Sequence, residues 1–208
     1  MTSIPGSNEL TPEQIVKYHD APFKIRERIS HRQVIPPIEI VEPNPDWSLQ
    51  YQEAKNKIQD ALGPNLVSID HVGSTSVPTL PAKPLIDIDL VVADIEDEPA
   101  YVPALEAAGF QFLTREPAWH SHRFFCGYDP VINLHIWGPG CPEVARHVLL
   151  RDWLREHKDD CEAYAKIKRE AAEATHKSGG DLFDYNARKD PFIRELMDKI
   201  FRAKGYVS

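Results

Sequence analysis

The segment LIDIDLVV, Leu85 to Val92, constrains this chain more than any other, because it sets two acids into a run that is otherwise apolar. In an extended strand the side chains alternate between faces, so Asp87 and Asp89 project together while Ile86, Ile88 and Leu90 project the other way, toward a core. Aspartate is depleted in strands, and two like charges on one face repel unless a cation lies between them. The two backbone positions are about 7 Å apart, which lets both carboxylates lean toward one ion. Oxygen donors of this kind suit Mg2+ or Mn2+, which take few carboxylates and complete their shell with water and substrate phosphates. On this segment alone, an ordinary strand with a polar outer face is the competing reading.

The neighbouring residues weigh against that competitor. Twelve residues upstream lies HVGSTSV, where Gly73 permits a close approach of backbone to ligand. Ser74, Thr75 and Ser76 add hydroxyls beside the amides that such a turn exposes, as an anion site requires.

The rest of the chain supplies the frame. Thr11-Pro12-Glu13-Gln14 carries a helix start, with threonine as cap and glutamine completing a capping box, and IRERISHRQVIPP after it reads as an arm. Residues 1–35 are expected to form an N-terminal extension packed on a main domain of residues 36–208. A short strand is expected over IEIVEP, followed by a helix opened by Asn44-Pro45-Asp46. Trp47, Tyr51, Ala54, Ile58 and Leu62 share one face of that helix, and Gly63 closes it. NLVSIDHV, LIDIDLVV, FQFLTRE, HRFFCGYD and VINLHIWG read as strands, with a helix from Pro99 to Gly109 between the second and the third. From Cys141 onward the pattern is helical: EVARHVLLRDWLREH, then DDCEAYAKIKREAAEATHK, then a Gly179-Gly180 break and a helix started by Asp190-Pro191. Strands first and helices later predict an α+β fold, with a sheet part over 36–140 and a helical part over 141–208.

Composition narrows the function classes. A net charge of -8 argues against broad nucleic-acid adhesion, which draws its energy from many cationic contacts to phosphates. No apolar run approaches the ~20 residues that span a bilayer, and the first residues lack the basic and apolar blocks of a secretion signal, so a cytoplasmic location is expected and no membrane partner. Cys126, Cys141 and Cys161 are odd in number and show no C-x-x-C spacing, which predicts reduced buried thiols.

A Gly-Ser pair, a spacer of about a dozen residues and an acid-apolar-acid strand resemble the signature of the nucleotidyltransferase superfamily that includes DNA polymerase β. More narrowly, HVGSTSVPTLPAKPLIDIDLVV is similar to the hallmark block of the GrpB-like family. IEIVEPNPDWSLQYQEAKNKI, NLHIWG, RDWLREH, YAKIKREA and YNARKDPFI resemble that family in the same order. The resemblance implies a nucleotidyltransferase-like mixed sheet flanked by helices. It also implies an NTP held by Gly73 and Ser74, metal ions on Asp87 and Asp89, and transfer of a nucleotidyl group to an unidentified acceptor. Lys83 and Arg123 match positive family positions that could neutralise phosphate charge, the lysine as a point charge and the arginine by a bidentate grip, although either also fits a solvated surface charge. Tyr185 and Lys189, near the C-terminus, match family positions that could close on the nucleotide.

One departure weakens that reading. The strand VINLHIW turns Asn133, His135 and Trp137 to the site and Ile132, Leu134 and Ile136 inward, so a histidine stands where the superfamily places a third acid. His135 could ligate the metal through its neutral ring, take the acceptor proton as general base, or be a structural histidine. Two alternatives follow. One is a binding module that keeps the phosphate pocket without chemistry. The other is a zinc-type site built from His120, His122 and His135, which requires HSHRFF to be extended.

Overall fold

The computed structural model describes residues 10–18 and 26–207, so the parts of the expected N-terminal extension at 1–9 and 19–25 lie outside the described residues. In chain order the elements are α1 (Pro12–Val16), β1 (Glu27–Arg28), α2 (Asp46–Leu62), β2 (Leu66–Val72), β3 (Ile86–Val92), α3 (Val102–Ala107), β4 (Gln111–Glu116), β5 (His122–Tyr128), β6 (Val131–Trp137), α4 (Pro142–Glu156), α5 (Lys158–Ser178) and α6 (Leu182–Ala203). The strands form a six-stranded mixed sheet in the order β1-β4-β5-β6-β3-β2. β3 and β6 run parallel, and the other neighbours are antiparallel. The fold is α+β, as expected.

Two apolar clusters form most of the core, one of them packed on the sheet. On one face, Ile86, Ile88 and Leu90 of β3 and Ile132, Leu134 and Ile136 of β6 pack with Trp47, Ala54, Ile58 and Leu62 of α2 and with Leu105 of α3. Ile88, Leu90, Leu134 and Ile136 are fully enclosed, each contributing about 1.5–3 kcal/mol by burial. That layer fixes the register, because a slip of one residue would turn Asp87 and Asp89 into it. The second cluster joins α4, α5 and α6 around Leu149, Trp153, Tyr164, Leu196 and Phe201, with Ile15 of α1 inserted among them. The three cysteines are free and buried. No described helix is long and apolar enough to cross a membrane.

The structure departs from expectation at four places. IEIVEP is not a strand; Val41 alone bridges to Ala82, because the flanking prolines leave too few amides for a ladder. In the supposed arm, Glu27 and Arg28 add a short strand to the sheet edge beside β4. The helix expected from Pro99 begins at Val102, after a 3-10 turn over Glu98–Ala100. The last helix begins well before Asp190-Pro191: Asp181 accepts from the Phe183 and Asp184 amides in a capping box, and Pro191 lies inside the helix. Burial of Tyr185 against α5 outweighs the hydrogen bond that the proline forfeits.

Candidate functional site

β3 and β6 deliver the polar face together. Their parallel register sets Asp87 opposite Asn133 and Asp89 opposite His135. The Asn133 amide donates to Asp87 Oδ1 at 2.9 Å, and the Trp137 indole donates to Asp89 Oδ1 at 2.9 Å. The Gly73 turn comes over the same strand. At φ 67° it adopts the left-handed region, and a Cβ there would fall 2.8 Å from the Asp87 Cβ and collide with the carboxylate. Ser76 then donates to the Gly73 carbonyl at 2.5 Å, and the Thr75 hydroxyl donates to the Leu85 carbonyl at 3.0 Å. Those two hydroxyls shape the turn, and Ser74 is the one of the three at the cavity wall.

The cavity encloses about 260 Å³ between Asp87, Asn133 and His135 on the sheet and Lys168, Tyr185, Asn186 and Lys189 on α5 and α6. Lys83 enters from the loop before β3. Three lysines therefore face one aspartate in a chain of net charge -8. Burial pushes Lys83 and Lys189 down to about 8, with Asp87 opposing the shift. Burial and then Lys189 push Lys168 well below the usual lysine range, although its ammonium donates to the Pro81 carbonyl at 2.7 Å. Burial raises Asp87 against the pull of Asn133 and Lys83. The Lys83 and Lys189 ammonium groups also sit over the Tyr185 ring, 5.4 and 4.3 Å from its centre. Crowded, partly desolvated ammonium groups of this kind are stabilised by an anion.

Asp89 is held differently. His147, on α4, meets its Oδ2 at 2.7 Å. Burial raises the carboxyl, but the His147 charge and hydrogen bond outweigh burial and leave Asp89 below its ordinary value. Burial lowers the imidazole, and Asp89 more than reverses this, lifting His147 to about 9. A cationic ring thus neutralises the second acid.

His135 lies in the cavity wall with its pKa pushed down to about 3 by burial and by His122. Its Nδ1 is 3.1 Å from Nε2 of His122, whose Nδ1 is 2.8 Å from Glu116 Oε2.

Among the residues singled out from sequence, Ser74, Lys83, Asp87, His135, Tyr185 and Lys189 gather around one cavity, with Gly73 packed on Asp87. Asp89 lies beside it, capped by His147 and Trp137. Arg123 does not join them: it is buried against Glu98 at 2.7 Å and Glu96 at 2.9 Å, bracing the edge of the sheet. Nor is HSHRFF extended throughout: His122 opens β5, but residues 117–121 form a turn and His120 and Ser121 both have φ 53°. His120 faces Glu143 at 3.9 Å, and both ring nitrogens of His122 are spent on Glu116 and His135, so these rings do not open on a common point. His147 and Glu116 escaped the sequence reading, and Lys168, though it matches a family position, reads from sequence as part of a polar helix face. His147 and Lys168 sit in amphipathic helices where helical spacing alone gives a polar face, and Glu116 reaches His122 only through the antiparallel pairing of β4 with β5.

The donor set separates the two kinds of metal. A zinc-type site needs three or four converging protein ligands, and no such group of His, Cys, Asp and Glu occurs among the described residues. Magnesium is content with one or two carboxylates plus substrate phosphates. Asp87, at the cavity wall, could supply one such carboxylate, whereas both oxygens of Asp89 are already engaged, Oδ1 by the Trp137 indole and Oδ2 by His147.

Comparison with known proteins agrees with this architecture. A family model described as GrpB protein matches residues 37–199. A UPF0157 protein of Halalkalibacterium halodurans is 40% identical over 162 residues, 78% of this chain and 82% of that protein. A dephospho-CoA kinase of Mycolicibacterium paratuberculosis is 32% identical over 195 residues, which cover 80% of this chain and 47% of that protein. The crystal structure of conserved protein GrpB from Enterococcus faecalis superposes with a TM-score of 0.70 at 27% identity, covering 80% of this chain and 99% of the other.

Proposed function

This chain belongs to the GrpB family, and from that premise we propose that it is a metal-dependent transferase of phosphorus-containing groups, moving a nucleotidyl group from an NTP to an acceptor hydroxyl or amine. The observation that carries the reading is the meeting of three lysines, Lys83, Lys168 and Lys189, with the Asp87 strand in one cavity beside the Gly73 turn. The lysines take the polyphosphate charge, and Ser74 adds a hydroxyl to it. Asp87, and Asp89 where a metal displaces His147 from its Oδ2, would hold Mg2+ or Mn2+, which would supply charge neutralisation for the phosphates. His135 receives the acceptor proton. Burial, the main cause of its low pKa, keeps the ring neutral and its lone pair available for that proton. Tyr185, with two ammonium groups within cation–π reach of its ring, helps hold them at the cavity.

The relative named dephospho-CoA kinase supports chemistry of the same broad class, phosphorus-group transfer, although that name belongs to a chain of which this one matches 47%. A thermal-shift comparison of ATP, GTP, CTP and UTP, with and without Mg2+, tests the proposal. Stabilisation that requires the metal and disappears in Asp87→Asn is expected. Stabilisation that ignores both the metal and that substitution would instead favour a phosphate-binding module, for which the lysines suffice.

A further inference from the structure

Residues 26–33 lie before the region that the family model matches, yet they cross the sheet on the side of the site. Glu27 and Arg28 pair with β4, Ser30 donates to the Phe112 carbonyl at 2.5 Å, and the Gln33 amide donates to the Tyr128 hydroxyl at 2.7 Å. Arg32 reaches Asn133 Oδ1 at 2.6 Å, and Asn133 in turn holds Asp87. At the other end of the arm, Arg26 donates to Glu116 Oε1 through Nε at 2.6 Å and lies 2.5 Å away through Nη2. The other oxygen of Glu116 is the one that meets His122.

This second chain has a direction. Burial raises Glu116, but the His122 hydrogen bond and Arg26 bring it below its ordinary value, so it is a carboxylate and can only accept. His122 must therefore carry its proton on Nδ1. Burial keeps that ring neutral, which leaves Nε2 bare and able only to accept from His135. His135 then carries its proton on Nδ1, and its Nε2 is a free lone pair at the cavity wall. The rings are held against rotation: Trp137 stacks on His122 with centres 4.2 Å apart, Trp119 meets it edge-on at 5.0 Å, and Phe124 lies 5.0 Å from His135.

We propose that Arg26, Glu116 and His122 are positioning residues that fix the tautomer of His135, so that the cavity presents a hydrogen-bond acceptor and selects an acceptor substrate bearing a hydroxyl or amine proton. The opposite tautomer would present a donor and favour a carbonyl or carboxylate instead. This specificity rests on the transferase reading; the tautomer itself does not.

Long-range 15N–1H correlation of the histidine rings at neutral pH tests it directly. The wild-type chain should show Nδ1 protonated and Nε2 bare in both His122 and His135. In Glu116→Gln, Arg26 still requires the side-chain oxygen, so the NH2 group faces His122 and both rings reverse, moving the His135 Nε2 signal from the bare to the protonated range. Adding Arg26→Met to Glu116→Gln frees the amide to present either end, so the forced reversal is relaxed and part of the wild-type pattern returns. A wild-type His135 protonated on Nε2 overturns the proposal without any variant, as does a double variant indistinguishable from Glu116→Gln. If the tautomers behave as stated while MgATP fails to bind, the relay stands and the transferase reading falls.

Discussion

The lysine cluster makes nucleotide affinity steeply dependent on pH, in a way that a solvent-exposed cationic patch would not. Lys83 and Lys189 titrate at about 8 in the empty cavity because burial disfavours their charged forms. A bound polyphosphate returns them toward the ordinary lysine range, so binding takes up protons above pH 8 and affinity falls as pH rises. For one lysine moved from about 8 to about 10.5, the loss between about pH 7.5 and about pH 9.5 is about 20-fold; for two it is about 500-fold, or about 4 kcal/mol. ATP itself changes charge little over that interval. Isothermal titration calorimetry of MgATP across the range, in buffers of unlike ionisation enthalpy, reads both the affinity and the protons taken up. Lys83→Met should leave about 20-fold of the dependence, because one titrating group remains. An affinity that stays level from neutral to alkaline pH, with no proton uptake, would refute the reasoning.

Gly73→Ala places a methyl group against Asp87 at a left-handed backbone position, and should cost on the order of 3 kcal/mol, a fall of about 10 °C in Tm measured by calorimetry. Lys168→Met removes a buried ammonium but also the donor to the Pro81 carbonyl, two effects that oppose each other, so the empty protein should unfold within a few degrees of wild type while protection by MgATP is lost. His147, raised to about 9 by Asp89, contributes stability that is fully present below about pH 6.5 and is lost as pH rises through about 9. In Asp89→Asn that decline, on the order of 2 kcal/mol after screening at a side chain 32% exposed, should flatten in urea titrations, and the His147 ring should titrate well below about 9 by NMR, because burial then acts without its opposing carboxylate.

The alternation of LIDIDLVV and VINLHIW predicted which residues face the core and which the site, because a strand has only two faces and one of them had to be apolar. The Gly-Ser turn was equally legible, as was α2 with its buried stripe from Trp47 to Leu62. Arg123 misled because its charge suggested phosphate, whereas Glu96 and Glu98, brought up by the loop after β3, claim it. Likewise, Asp190-Pro191 has every mark of a helix start, but the capping box at Asp181 and the burial of Tyr185 begin the helix earlier.

The sequence by itself determined the two-faced strand, its paired acids and the bend before it, since each depends on residues within a few positions of one another. Tertiary structure alone decided that Lys168 and Lys189 lean over Asp87, that His147 neutralises Asp89, and that Arg26 and Arg32 reach across the sheet to the site. Those partners lie tens of residues apart, and no local propensity encodes a meeting between them. Only packing the helices and the arm onto the sheet brings their charges close enough, away from water, to change one another's protonation.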